Sequence, residues 1–225
     1  GEGLSDIDTV IISEELAAGC AGMYTTMMVN ALAYTPIILF GTDEQKKKYL
    51  TPQTEKMSFA SFCLTEREAG SDAGALKTTA KKVGSEYVIN GSKCFISNAG
   101  IAELYTVFAN SNPDKGMRGI SAFIVPRETP GLTIGKVEDK MGQRASNTAE
   151  VIFEDVKVPL ENLLGKEGIG FIIAMKTLDK TRAPVGAAGV GVAKAALQYA
   201  IEYAKTRIQF GKPIALFQHI AFQIA

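Results

Sequence analysis

The chain has 225 residues, 46% apolar and 21% charged, enough for one large domain or parts of two with a sizeable core. Lys+Arg and Asp+Glu are equal at 24 each, so net charge gives no case for nucleic acid or an anionic membrane. No apolar run approaches the ~20 residues of a membrane helix, and the three cysteines with the single His219 follow no zinc or redox spacing, so no metal site is expected.

Residues 5–50 read as helical. Asp6 or Asp8 can cap a first helix through Ile11, Ile12 and Leu16, with Gly19 near its end. A second runs from about Met23 to Phe40, and Pro36 should bend it or mark a boundary. Met23, Met27 and Met28 lie on or beside one stripe with Ala31 and read as core filler. Thr42-Asp43-Glu44-Gln45 is a capping box that starts a third helix. Lys46, Lys47 and Lys48 then form a solvated face, with a phosphate patch as the functional alternative.

From Met57 to about Val158 the apolar period changes to two. Candidate strands are 59–64, 76–83, 86–89, 93–97, 104–109, 120–125, 132–136 and 150–156. Asn90-Gly91 is a two-residue hairpin signal between Tyr87-Val88-Ile89 and Lys93-Cys94-Phe95. Seven or eight such strands suggest a small antiparallel barrel or sandwich. After Gly168 the pattern is helical again, over 170–180 and 185–206, with a kink or break at Pro184. Gly186, Gly189 and Gly191 have no preceding strand and suit close helix packing rather than a dinucleotide loop. Helices, then strands, then helices, without βαβ alternation, make an α+β chain. The expected parts are 1–56, the end of a helical domain; 57–165, a β-domain; and 166–225, the start of a helical bundle.

The chain is organised around Cys63-Leu64-Thr65-Glu66-Arg67-Glu68-Ala69-Gly70-Ser71-Asp72-Ala73-Gly74-Ala75. A strand that ends in a Gly/Ser/Asp loop presents free N–H groups and short hydroxyls to a flat, polar-edged cofactor or a phosphate. An ordinary polar loop has the same composition. This run resembles the first signature of the acyl-CoA dehydrogenase family. Five further stretches match in family order: Asn90 to Asn98, Met141-Gly142-Gln143-Arg144, Phe153 to Pro159, Asp179-Lys180-Thr181-Arg182, and Arg207-Ile208-Gln209-Phe210-Gly211.

The resemblance implies FAD as cofactor, an acyl-CoA thioester as substrate and an electron-transferring flavoprotein as acceptor. It also implies a homotetramer built as a dimer of dimers, and an intracellular setting such as bacterial cytoplasm or mitochondrial matrix. The reaction is α,β-dehydrogenation to the trans-2-enoyl-CoA, as in fatty-acid β-oxidation. An oxidase or monooxygenase on the same fold, or a non-catalytic acyl-CoA-binding relative, is the alternative. By resemblance Phe62, Cys63, Leu64, Thr65, Gly70 and Ser71 line the flavin, and Ser71 also meets coenzyme A. Phe95, Ile96 and Ser97 pack on the other flavin face. Phe95 and Ser97 stand where most relatives have Trp and Thr. Phe95 equally suits core strand packing, and Ser97 a turn cap. The helix region of Met23, Met27 and Met28 would border the acyl cavity.

Asp179 and Arg182 would sit at the coenzyme A site, or form an ordinary i,i+3 helix pair. Arg207, Gln209, Phe210 and Gln218 are assigned to cofactor binding, with Arg207, Gln209 and Phe210 acting on a neighbouring subunit's flavin; Gln209 replaces the usual Thr or Ser. Arg144 reads as a structural ion pair and His219 as a surface residue. Neither Glu66 nor Glu68 is assigned as base. One family group carries its catalytic Glu at the place of Thr181, which cannot act as a carboxylate; the other carries it near the C-terminus. The base is therefore expected beyond Ala225, in the short- and medium-chain type, with this chain as an internal fragment.

Overall fold

In the computed structural model, which describes residues 3–225, helix α1 (Asp6–Gly19) begins at a capping box that the sequence reading misplaced by one side chain. Ser5 is the N-cap: its hydroxyl accepts from Asp8 N, and the Asp8 carboxylate accepts from Ser5 N at 2.8 Å. Asp8 is thus the residue that reaches back. Helix α2 (Ala21–Phe40) runs through Pro36 without ending there, and α3 (Asp43–Tyr49) starts at the expected Thr42–Gln45 box. Helix α2 is also long and apolar enough to cross a membrane, with 20 residues at mean hydropathy 1.3, against the expectation that no run approached that length. In the fold its Ala33 and Ile37 are buried in a core, and its Asn30 accepts from Ala60 N. A short α4 (Thr51–Glu55) leads into the strands.

Seven strands follow: β1 (Ala60–Cys63), β2 (Thr79–Val83), β3 (Glu86–Ser97), β4 (Leu104–Asn110), β5 (Ile120–Pro126), β6 (Leu132–Val137) and β7 (Thr148–Pro159). The order is β1-β4-β2-β3-β7-β6, with β5 also on β4. Most pairings are antiparallel, but β1 runs parallel to β4, and a single parallel bridge joins β2 to β4. Strand β4 serves three neighbours, β1, β2 and β5. Its two faces pack separate cores. Alternation sends Phe62, Leu64, Phe108 and Ile124 to one, beside Ala33, Ile37 and Ile173, and sends Cys63, Tyr105, Val107 and Phe123 to the other.

The expected hairpin at Asn90-Gly91 is absent. β3 runs straight through it, pairing with β7 on both sides at Ile89↔Val156 and Gly91↔Phe153. The extra residue is absorbed as a bulge, held by a two-way bond between the Asn90 amide and Asp155. Gly91 sits at φ +146, and a Cβ there would lie 2.6 Å from Thr78 Oγ1. The glycine serves a close crossing rather than a turn. The real turn into β3 is Gly84-Ser85, with Gly84 at φ +59.

Helix α5 (Gly170–Thr206) is one helix of 37 residues with Pro184 inside it, not two. The chain divides into two compact units, Thr25–Arg182 and the residues before and after that span. Within the second, Gly191 of α5 lies against α1: a Cβ on it would meet Glu14 O at 2.0 Å, whereas Gly186 and Gly189 face open space. The same unit ends in a small hairpin, β8 (Ile208–Gln209) with β9 (Lys212–Pro213), then α6 (Gln218–Ile224).

Candidate functional site

A cleft of about 410 Å³ opens in the unit Thr25–Arg182. Its apolar lining comes from Val29 and Leu32 of α2, Phe62 and Leu64 at the end of β1, and Met175 and Leu178 of α5. Its polar rim comes from the loop after β1, through Thr65, Gly70 and Ser71, and from the end of β3, through Phe95, Ile96 and Ser97. Two stretches far apart in sequence thus line the same cleft.

Several hydrogen bonds and one ion pair join them. Cys94 N donates to Thr65 O at 3.0 Å. Lys93, fully buried, donates through Nζ to Leu64 O at 3.0 Å and to Glu66 Oε1 at 2.7 Å. Glu66 also accepts from Lys77 N and Thr78 N, at 2.6 and 3.0 Å. Burial works to raise the Glu66 pKa, but the Lys93 charge and these donors outweigh it and hold the carboxyl below its usual range. Burial pulls the Lys93 ammonium below the usual lysine range, opposed by Glu66. Glu66 is therefore an anchor with its lone pairs engaged, not a free base. Glu68 is exposed and paired with Lys77.

The strand exit of β3 is pinned as firmly. Ser61 Oγ donates to Ser97 O at 2.9 Å. Asn98 is fully buried at φ 63, and its Nδ2 donates to Thr26 O at 2.9 Å and Ala60 O at 3.3 Å. Between these anchors a register shift from Lys93 to Ile96 turns Phe95 outward at φ 57, and the residue is 64% exposed. A non-glycine aromatic in that region is an outlier worth ~1–3 kcal/mol of strain. Phe95 is thus a flat apolar face at the cleft, and not a core strand residue.

The polar groups that face the cleft are free of protein. The hydroxyls of Thr65, Ser71 and Ser97 and the N–H of Thr65 find no partner among the described residues. Neither Thr65 nor Ser97 caps a turn. A cleft with one aromatic face, apolar walls and unpaired donors on one edge fits a planar heteroaromatic ring with polar atoms along that edge.

Other expected residues lie elsewhere. Cys63 is buried on the opposite face of β1, where burial pushes its thiol up to about 12, and it does not line the cleft. Asp179 and Arg182 form an exposed pair at 3.1 Å, and neither lines the cleft, although Met175 and Leu178 of the same helix do. Thr181 Oγ1 donates to the carbonyls of Thr177 and Leu178. Met23 and Met27 are exposed rather than core, and α2 reaches the cleft through Val29 and Leu32 instead. Arg144 makes bonds to the carbonyls of Lys140 and Met141 and no ion pair among the described residues. His219 is exposed on α6. In the second unit Arg207, Gln209, Phe210 and Gln218 are all exposed. Phe210, at φ 51 and 93% exposed, touches only the edge of Phe217 among ring contacts. The anchoring roles of Lys93, Glu66 and Asn98 were not read from the motifs, although all three residues lie within them. Their signal was a charged or amide residue inside apolar strand ends, and it is visible only once burial is known.

The cleft thus has the lining that suits a flat, polar-edged group at a strand exit. The particular family follows from comparison. Acyl-CoA dehydrogenase models match the chain end to end: the N-terminal domain at residues 1–56, the middle domain at 61–156 and the C-terminal domain at 168–225. The chain is 49% identical to the short-chain specific acyl-CoA dehydrogenase of Megasphaera elsdenii and 48% identical to the acryloyl-CoA reductase (NADH) of Anaerotignum propionicum, over its whole length and 60% and 58% of theirs. Among solved structures, butyryl-CoA dehydrogenase from Megasphaera elsdenii superposes at TM-score 0.95 and 48% identity, over 99% of this chain and 59% of that one. The chain belongs to the acyl-CoA dehydrogenase family. It spans about 60% of the length of the curated relatives it matches.

Proposed function

We propose that this chain carries the flavin wall of an FAD-dependent acyl-CoA dehydrogenase. The enzyme converts an acyl-CoA thioester to its trans-2-enoyl-CoA and passes electrons to an electron-transferring flavoprotein. The observation that supports this most is the set of unpaired donors, Thr65 N–H and the Thr65, Ser71 and Ser97 hydroxyls, around a cleft with an outward aromatic at Phe95. When bound there, FAD supplies the hydride acceptor that no side chain provides. Thr65 and Ser97 hold its polar edge, Phe95 and the apolar walls exclude water, and Ser71 orients the thioester ligand. No carboxylate lines the cleft among the described residues, and Thr181 bonds to its own helix. On the family resemblance, with Thr181 at one of the two family positions for the base, we assign the base that takes the α-proton to the other position, past Ala225. Asp179 and Arg182 are assigned to the coenzyme A end. Arg207, Gln209, Phe210 and Gln218, exposed in the second unit, are assigned to a neighbouring subunit's flavin in an intracellular homotetramer.

Changing Thr65 and Ser97 together to Ala should remove the yellow flavin absorbance while circular dichroism stays native. Unchanged flavin content would reject the assignment. Mixing Arg207→Ala and Thr65→Ala subunits should restore part of the flavin binding, since one site per heterodimer keeps both partners. A second reading, an oxidase on the same fold, has support from a neighbour described as the prolyl acyl carrier protein oxidase AnaB, at TM-score 0.94 and 36% identity. Reducing the protein anaerobically and then admitting air separates the two: slow reoxidation fits the dehydrogenase, and rapid reoxidation the oxidase.

A further inference from the structure

Lys93 lies outside the cleft, fully buried, yet it touches the backbone that forms the cleft's edge. Its ammonium donates to the carbonyl of Leu64. A trans peptide is planar, with its N–H directed opposite to its C=O. Holding the Leu64 carbonyl therefore aims the next N–H, that of Thr65, away from Lys93. That N–H is unpaired, and Thr65 lines the cleft. The carbonyl on the other side of Thr65 is also held, by Cys94 N at 3.0 Å, so both peptide planes around Thr65 are fixed.

The bond is charge-assisted, and such bonds are shorter and about twice as strong as neutral ones. A cation on the carbonyl draws electron density through the amide and makes its N–H a better donor. Glu66, 2.7 Å from Lys93, moderates the effect by sharing the ammonium.

We propose that Lys93 is a positioning residue of the flavin site: through the Leu64 carbonyl it presets and polarises the Thr65 N–H as a donor to the electron-rich edge of the cofactor ring. Glu66 sets how much of the lysine charge reaches that peptide. This rests on the flavin reading above. Charge near the polar edge of a flavin tunes its electronics, so the pair acts on reduction potential as well as on fit. Loss of the lysine weakens the hold on the reduced, more electron-rich ring. Loss of the carboxylate with the lysine kept strengthens it.

The test uses full-length flavoprotein and a spectroelectrochemical titration of bound flavin. In Lys93→Met/Glu66→Gln the pair is neutral, and Met cannot donate to Leu64 O. The reduced form should lose about tenfold relative to the oxidised form, a midpoint about 30 mV lower for a two-electron couple. In Glu66→Gln alone, titrated at a pH low enough for the buried Lys93 to keep its proton without its partner, the midpoint should move the other way. Tyr49→Phe, which removes a buried bond to Asn162 outside the cleft, controls for general destabilisation and should leave the midpoint in place. If the double variant does not fold, Glu66→Gln alone decides by the sign of its shift. Folded, flavin-loaded variants with the parent potential would overturn the role of Lys93 and leave the flavin reading intact. Parent protein that purifies without flavin would overturn the flavin reading itself.

Discussion

Two ion pairs in the same unit join the same kinds of charge at similar distances, 2.7 Å for Lys93–Glu66 and 3.1 Å for Arg182–Asp179. Their surroundings differ completely. The first pair is 0% and 10% exposed and is tied to Leu64 O, Lys77 N and Thr78 N; the second is 75% and 70% exposed, a neighbourly contact on one helix face. A buried pair ties the loop together because neither partner can be left alone without water. An exposed pair can dissolve into solvent at almost no cost. The difference separates a residue that builds the cleft from residues free to meet a ligand.

The comparison is broken most severely by Lys93→Met. It leaves a carboxylate buried and unpaired, and the expected loss is ~3–5 kcal/mol by urea unfolding. Adding Glu66→Gln should recover most of it. A loss under ~1 kcal/mol in the single variant would mean that water reaches the pair. Next comes Asn98→Ala, which strips donors from the buried carbonyls of Thr26 and Ala60 and puts Ala at φ 63. The expected cost is ~2–3 kcal/mol. Asn98→Gly relieves only the backbone part, and equal losses in the two would show that the hydrogen bonds dominate.

Acid sharpens the same contrast. The folded Glu66 carboxyl is held below its usual range, so the unfolded chain binds the proton first. Its stabilising share is present above the unfolded value of ~4.3 and is lost as pH falls through the lower, folded value. Denaturation midpoints should fall less steeply with acid in Glu66→Gln than in the parent. Parallel curves would remove Glu66 from the acid response. The smallest effect is Arg182→Ala. Its cost in stability should stay within ~0.5 kcal/mol, while affinity for an acyl-CoA, measured by calorimetry, should drop if these residues meet coenzyme A. Unchanged affinity would leave the pair as surface ornament.

The sequence alone carried the order of helices and strands and the Thr42 cap, while the placing of residues 62–71 and 95–97 at one site came from the family resemblance. The order and the cap follow from local chemistry: period and capping side chains. It misread Asn90-Gly91, because a turn dipeptide also suits a bulge, and only pairing with β7 on both sides distinguishes them. It left open a bend or a boundary at Pro36 and a kink or a break at Pro184, and neither proline ends its helix, because a missing N–H removes one bond from a helix whose neighbouring turns keep theirs. Tertiary structure alone decided which charges are buried. Lys93 and Lys47 carry the same side chain, yet one is sealed under the Leu64 carbonyl and the other is in solvent. Burial sums contacts from segments far apart in the chain, here β1, the 64–69 loop and β3, and no local pattern contains that sum.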